Sequence, residues 1–287
     1  MSATTVTANA EVAPTTAGQS SGGRLRWAFH DAMVVAKRNL IAMTRIPDQL
    51  VFATIQPIMF VLLFAYVFGS AIPLANGESY KEFLMAGIFG QIAAFASAQT
   101  SVAMASDMTK GIVDRFRSLP MARSGVLAGR TIADMANLSF QFVVMSVTGL
   151  LIGWSIDNGV PKAVAAYGLL LLFGFSMSWV GAWIGLSVKS VEAANTAGFI
   201  WLFPLTFLSN AFVPTTGMPG FLQTVAEWNP ISSVVSAARE LFGNPNPFSS
   251  GSLPGRYPIV FSLGWSALIL IVFVPLAVRK YRSATSR

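Results

Sequence analysis

The sequence predicts an all-α polytopic membrane protein. It is expected to have six transmembrane helices, cytoplasmic N- and C-termini, an amphipathic N-terminal interfacial helix, and a short outer re-entrant hairpin between spans five and six. Three observations predict this. Only 11% of the 287 residues are charged against 54% hydrophobic, whereas soluble domains carry about 25% charged residues. The charges are placed so that six long runs contain none: Gln49 to Gly77, Phe83 to Ser106, Met135 to Ile156, Ala163 to Val188, Ala193 to Ala226 and Tyr257 to Val278. Each run holds at least 22 residues, and about 20 residues at 1.5 Å rise cross a hydrocarbon core of roughly 30 Å. Finally, with six spans, 15 of the 19 Lys and Arg fall on the side of the termini and even-numbered loops, which the positive-inside rule makes cytoplasmic. That asymmetry accounts for the net charge of +7 without nucleic acid.

The elements follow in order. Residues 1–24 are rich in Ser, Thr, Ala and Gly and read as a disordered tail. No basic segment leads into an apolar core near Met1, so the first span is expected to direct insertion. Residues 25–48 form an interfacial helix, with Phe29, Met33, Ala36, Leu40 and Met43 on one side and Arg26, His30, Lys37, Arg38 and Arg45 on the other. It serves as a membrane anchor or also as a surface for a cytoplasmic partner. The membrane-embedded body spans 49–278, with Pro57 and Pro204 inside its first and fifth runs, and a basic tail follows at 279–287. On the outer side, residues 214–243 read as a hairpin that either gates or packs. Its second helix has Asn229 at the N-cap, Pro230 in the first turn and Gly243 just past the end.

The densest charge lies in the second cytoplasmic loop. Helical spacing over Met108 to Leu119 gathers Ile112, Val113, Phe116 and Leu119 on one face and Lys110, Asp114, Arg115, Arg117 and Ser118 on the other, and Pro120 closes the helix. Four apolar side chains worth about 1.5–3 kcal/mol each require a covering surface, either this protein and its bilayer or another polypeptide.

The six runs contain no Asp, Glu, His, Lys or Arg, so the proton relay of an ion-coupled transporter has no carboxylate within a span. The nearest, Asp134, stands four residues after Arg130 at the spacing of a helical ion pair. No G-x-x-x-x-G-K-[ST] motif is present to bind ATP, and no Cys is available as a thiolate ligand or nucleophile. A transporter built from this chain needs a separate motor. A secondary transporter and a membrane-embedded transferase are the competing readings. The first is weakened by the missing carboxylates, and the second by the lack of Asp-rich metal motifs or paired His. Uncharged polar residues within spans, Gln56, Gln91, Gln99, Asn137, Gln141 and Asn210, either line a route or bond helices together. Gly149-x-x-x-Gly153 and Gly181-x-x-x-Gly185 would let helices approach closely.

The stretch KGIVDRFRSLPMARSGVLAGRTIAD, Lys110 to Asp134, resembles the cytoplasmic signature of type-2 ABC transporter permeases of the daunorubicin-resistance (DrrB-like) branch. RNLIAMTRIPDQL with the span after it, and NAFVPTTGMPGFLQTVAEWNPISSVVSAARELF, are similar to that family's interfacial helix and outer hairpin. Where wider-family members have a Glu-rich start and Gly-Thr, this chain has Asp107 to Lys110 and Gly111-Ile112. The resemblance implies a bacterial plasma-membrane exporter subunit. It would pair with itself or a sister permease and bind two copies of an ABC ATPase that holds ATP and Mg, leaving no cofactor in this chain. Lys110, Ile112, Val113, Asp114, Arg115, Phe116, Arg117, Leu119 and Pro120 would then belong to the coupling helix at 108–119 and its closing proline, and Phe29, Lys37, Arg38 and Leu40 to the connecting helix. Phe116→Asp is expected to leave insertion intact while separating ATP hydrolysis from export, measured as ATPase rate against transport in vesicles. Undiminished export would contradict it.

Overall fold

The computed structural model describes residues 47–69, 74, 79–110, 123–247 and 252–284. The predicted tail at 1–24, the interfacial helix up to Ile46, and 111–122 of the cytoplasmic segment lie outside those residues. Among the described residues every regular element is helical. In order they are α1 (Pro47–Leu63, continued by a π-helical turn Phe64–Phe68), α2 (Tyr80–Thr109), α3 (Arg123–Leu151), α4 (Gly159–Gly185), α5 (Val191–Phe199) and α6 (Leu202–Phe207). A short 3-10 turn (Thr215–Gly217) leads to α7 (Gly220–Glu227), α8 (Pro230–Phe242), α9 (Leu253–Arg256) and α10 (Pro258–Ala284).

Four of these helices are long and apolar enough to cross a membrane: Tyr80–Thr109, Arg130–Leu151, Gly159–Gly185 and Pro258–Ser283. The sequence reading expected six. The first run instead gives a shorter apolar helical stretch, Ile55–Phe68. The fifth run departs further, because it forms α5 and α6 with a break at Ile200 and Trp201. Pro204 supplies the cause: it has no N–H for the carbonyl four residues back, and its ring crowds that carbonyl. The residue four back is Ile200, where α5 ends.

The core is organised around α2, buried along most of its length. Helix α4 runs beside it in the same direction, Gly174 facing the Ala93 carbonyl, Gly181 that of Ser97 and Gly185 that of Ser101. A Cβ at Gly181 or Gly185 would stand 2.0 or 2.4 Å from a carbonyl oxygen, so these backbones touch as the Gly181-x-x-x-Gly185 pair predicts. Gly149 packs on Met85 and Trp154 instead, while Gly153, with φ +95°, sits in a turn with nothing against it. Helix α3 runs antiparallel to α2: Lys81 donates to the Ile152 carbonyl at 3.1 Å near one end, and Arg130 meets Asp107 near the other. Between apolar helices in lipid, dispersion and close fit rather than water exclusion hold such contacts.

The predicted N-cap, first-turn proline and terminal glycine of α8 are all present. Asn229 accepts from the Ile231 N–H, Pro230 opens the helix, and Gly243 follows it at φ 84°. This helix is buried rather than lying on the surface, with Val235 filling the notch at Gly90 on α2, whereas α7 exposes Phe221. Its neighbour in space is the bend after α6, whose carbonyls have lost their helical donors. Asn229 Nδ2 donates to the Leu205 and Leu208 carbonyls at 2.6 and 2.8 Å. Arg239, fully buried, donates to Asn210, Ala211 and Phe83 carbonyls at 2.9, 3.3 and 3.1 Å, and its guanidinium lies 3.6 Å over the Phe83 ring. The Tyr80 hydroxyl takes the Phe212 carbonyl at 2.9 Å. Gly87 completes the fit, since a Cβ there would stand 1.9 Å from the Ala211 oxygen.

Arg239→Met should therefore cost about 2 kcal/mol or more by stranding buried carbonyls, read as a lowered melting temperature of the detergent-purified protein. Arg256→Met, at an exposed arginine, should change it little. Equal effects would contradict this account.

Candidate functional site

Helices α1, α2 and α3 leave a small open cleft of about 70 Å³ between them. Its lining comes from Gln56, Pro57 and Phe60 on α1, Gln91, Ile92, Phe95 and Gln99 on α2, and Gln141 on α3. The helical repeat explains the set: residues 91, 95 and 99 are four apart and share one face of α2. A smaller recess, of about 10 Å³, adjoins it through the shared residues Ile92, Gln99 and Gln141, adding Ala96, Thr100, Asp134 and Leu138.

Five of the six polar residues singled out from the sequence therefore meet here. Four glutamines line the cleft, and Asn137 Nδ2 donates to Gln99 Oε1 at 3.4 Å. Asn210 lies elsewhere, 1% exposed in the bend after α6, its amide donating to Ser236 Oγ at 2.7 Å. Gln91 and Gln141 are buried, while Gln56 and Gln99 are exposed. An amide exposed on a spanning helix has no partner in lipid, so this face needs water or protein over it. Chemically the cleft offers neutral donors and acceptors between the Phe60 and Phe95 rings, suited to an apolar body carrying a few polar groups.

Charge collects at one end. Arg130 Nη1 lies 3.1 Å from Asp107 Oδ2, and its Nε 3.3 Å from Asp134 Oδ1. The second contact is the i,i+4 pair the spacing predicts. Thr100 Oγ1 donates to the other Asp134 oxygen at 2.7 Å. Two carboxylates thus share one guanidinium where α2 ends and α3 begins. Lys110, the first residue of the predicted coupling set, is exposed just past the end of α2. Ile112, Val113, Asp114, Arg115, Phe116, Arg117, Leu119 and Pro120 lie outside the described residues, as do Phe29, Lys37, Arg38 and Leu40.

Sequence reasoning missed Thr100, Phe60, Phe95 and the closeness of Asp134 to the cleft. The spacing of Phe95 with Gln91 and Gln99 could have found that ring, but nothing in the sequence marks Thr100 as the partner of a carboxylate 34 residues away.

The fold defines a multi-pass helical membrane protein. The family model for the ABC-2 type transporter matches residues 30–242, and the chain belongs to that family. It is 33% identical over 246 residues to the daunorubicin resistance ABC transporter permease protein DrrB1 of Streptomyces coeruleorubidus, covering 86% of this chain and 84% of the relative. It is 23% identical over 284 residues to the probable doxorubicin resistance ABC transporter permease protein DrrC of Mycobacterium tuberculosis, covering 98% and 99%. A putative transport permease, ycf38 of Cyanophora paradoxa, is 25% identical over 85% of both chains.

The chain has no cysteine, so single thiols report cleanly. Gln99→Cys should react with a water-soluble maleimide in membranes, because thiolate chemistry needs water, whereas Val143→Cys, 63% exposed on an apolar surface, should not. Equal protection of both would contradict a hydrated cleft.

Proposed function

We propose that this chain is the transmembrane permease subunit of an ATP-driven exporter in a bacterial plasma membrane, moving a hydrophobic drug-like or lipid substrate out of the cell. It crosses the membrane six times with both termini cytoplasmic, α5 and α6 together forming the fifth passage. It works as a pair with itself or a sister permease and with two copies of a separate ABC ATPase, which holds ATP and Mg. The coupling helix at 108–119 docks on that ATPase beside the connecting helix, and the substrate leaves between the paired permeases.

The observation that carries this reading is the amide-and-phenylalanine cleft between α1, α2 and α3, which adjoins a charge cluster at the root of the cytoplasmic loop. The Phe60 and Phe95 rings suit an apolar group, and the exposed glutamines call for a partner or water. The drug-resistance names of two relatives agree with an apolar drug as cargo. ATP-driven closure of the motors would then bias the bundle between inward-open and outward-open states.

Asp134 beside the cleft favours one other reading, a proton-coupled secondary transporter. Its two oxygens are instead held by Arg130 and Thr100, an arrangement that fixes it in place. Energy source separates the two. Co-expressed with a Walker-motif ATPase, the chain should purify as a complex whose hydrolysis daunorubicin stimulates, and reconstituted vesicles should accumulate the drug with ATP and without a pH gradient. Uptake by the solitary chain under a pH gradient would overturn the proposal.

A further inference from the structure

The two sides of α2 are held by different means. Toward α4, the glycines at 181 and 185 bring backbone against backbone, and Gly198 on α5 presses on Ala98 in the same way, a Cβ there standing 3.0 Å from the Ala98 Cα. Such a contact has one geometry and cannot yield without a clash. Toward α3, side chains form the link over the inner turns: Asp107 with Arg130, Thr100 with Asp134, and, at the next residue outward on α2, Gln99 with Asn137. These contacts climb in order from the root of the cytoplasmic loop to the cleft, since Thr100, Asp134 and Gln99 line the smaller space and Gln99 also lines the larger.

Arg130 and Asp134 are both on α3, and their i,i+4 contact does not join helices. The cross-links between α2 and α3 nearest the loop are Arg130 to Asp107 and Thr100 to Asp134. The loop between Lys110 and Arg123 hangs from the ends of those two helices. If the ends are pinned, a push on the loop moves them as one body and reaches the cleft wall. If they are free to splay, the push is spent near the loop.

We propose that Arg130 is a positioning residue that couples the cytoplasmic loop to the cleft, pinning the inner end of α3 to α2 through Asp107 and holding Asp134 toward Thr100, so that loop movement displaces the cleft's glutamine-lined wall. The inference rests on the reading of this chain as a permease driven through that loop. It concerns how force crosses to the cleft and is silent on the identity of the cargo.

The test uses the assembled complex with its ATPase. A single cysteine replaces Met59, 59% exposed next to the cleft-lining Phe60, and carries an environment-sensitive fluorophore. ATP with orthovanadate traps the closed motor. The variants are Asp107→Asn, Thr100→Val, their combination, and Arg130→Lys. In the combined variant, ATPase binding and hydrolysis should persist while the fluorophore response falls about fivefold or more, the size of an ordinary coupling energy between sites. Each single variant should lose part of it, and Arg130→Lys, which keeps the charge, should retain most. A full response in the combined variant overturns the proposal, as does the absence of any response in the unmodified complex. Loss of assembly together with the response assigns the cluster a structural role only and overturns it too. Failure of the unmodified chain to bind an ATPase overturns the underlying reading instead.

Discussion

A backbone carbonyl inside a membrane protein must find a donor within the protein, and the rest of this fold is arranged around one place where that demand is hardest to meet. The segment after α6 leaves the helix with five carbonyls, Leu205, Leu208, Asn210, Ala211 and Phe212, that accept from side chains. Three side chains from two other elements answer them. Arg239 stands on the far side of α8, Asn229 at its start, and Tyr80 at the head of α2. Because the donors come from α8 and α2, the bend, the buried hairpin and the central helix can only be assembled together. An arginine with a carboxylate partner would have served charge neutrality. Set among carbonyls and over a phenylalanine ring, Arg239 serves geometry instead, its planar fork reaching three oxygens that no lysine could span at once.

From this centre the molecule divides. On one side α2, α4 and α5 are fused by small residues, with glycines opposite carbonyls and little room for alternative packing. On the other, α1 and α3 approach α2 through amides, a threonine and an ion-paired cluster, and space remains between them. Cavities in a closely packed protein mark surfaces that are not fused. The location of the cleft is thus a consequence of where the glycines are. The aromatic residues tie α3 into the core away from the cleft: Phe142 on α3 meets Phe89 on α2 edge to face, and Tyr167, Trp154 and Phe242 close around them, while Phe60 and Phe95 face the opening.

How much of this was legible beforehand depends on the kind of signal. Charge spacing located the four long apolar helices, because a charged group in hydrocarbon is costly and leaves its mark on every span. The caps of α8 were legible to the residue, since Asn, Pro and Gly each act within one turn. The ion pair of Arg130 with Asp134 followed from helical spacing alone. The break in the fifth run is not legible in its length, even with Pro204 inside it, because run length records hydrophobicity and says nothing of continuity. A proline in a helix can be absorbed, as Pro57 and Pro275 are, and the outcome depends on neighbours the sequence does not reveal. The meeting of Thr100 with Asp134 and of Arg239 with the bend are contacts across long separations, invisible to any local pattern. The in-span amides are legible by residue type, yet only the fold divides the four glutamines and Asn137 at the cleft from Asn210.

The knee between α5 and α6 carries a mechanical implication. A continuous rod transmits thrust along its axis, whereas a jointed one folds at the joint, so a shove at the Val191 end cannot be delivered intact to Phe207. Long unbroken α2, welded along one flank and seated under Arg239 at its head, is the stiff member through which the two faces of the membrane are in mechanical contact.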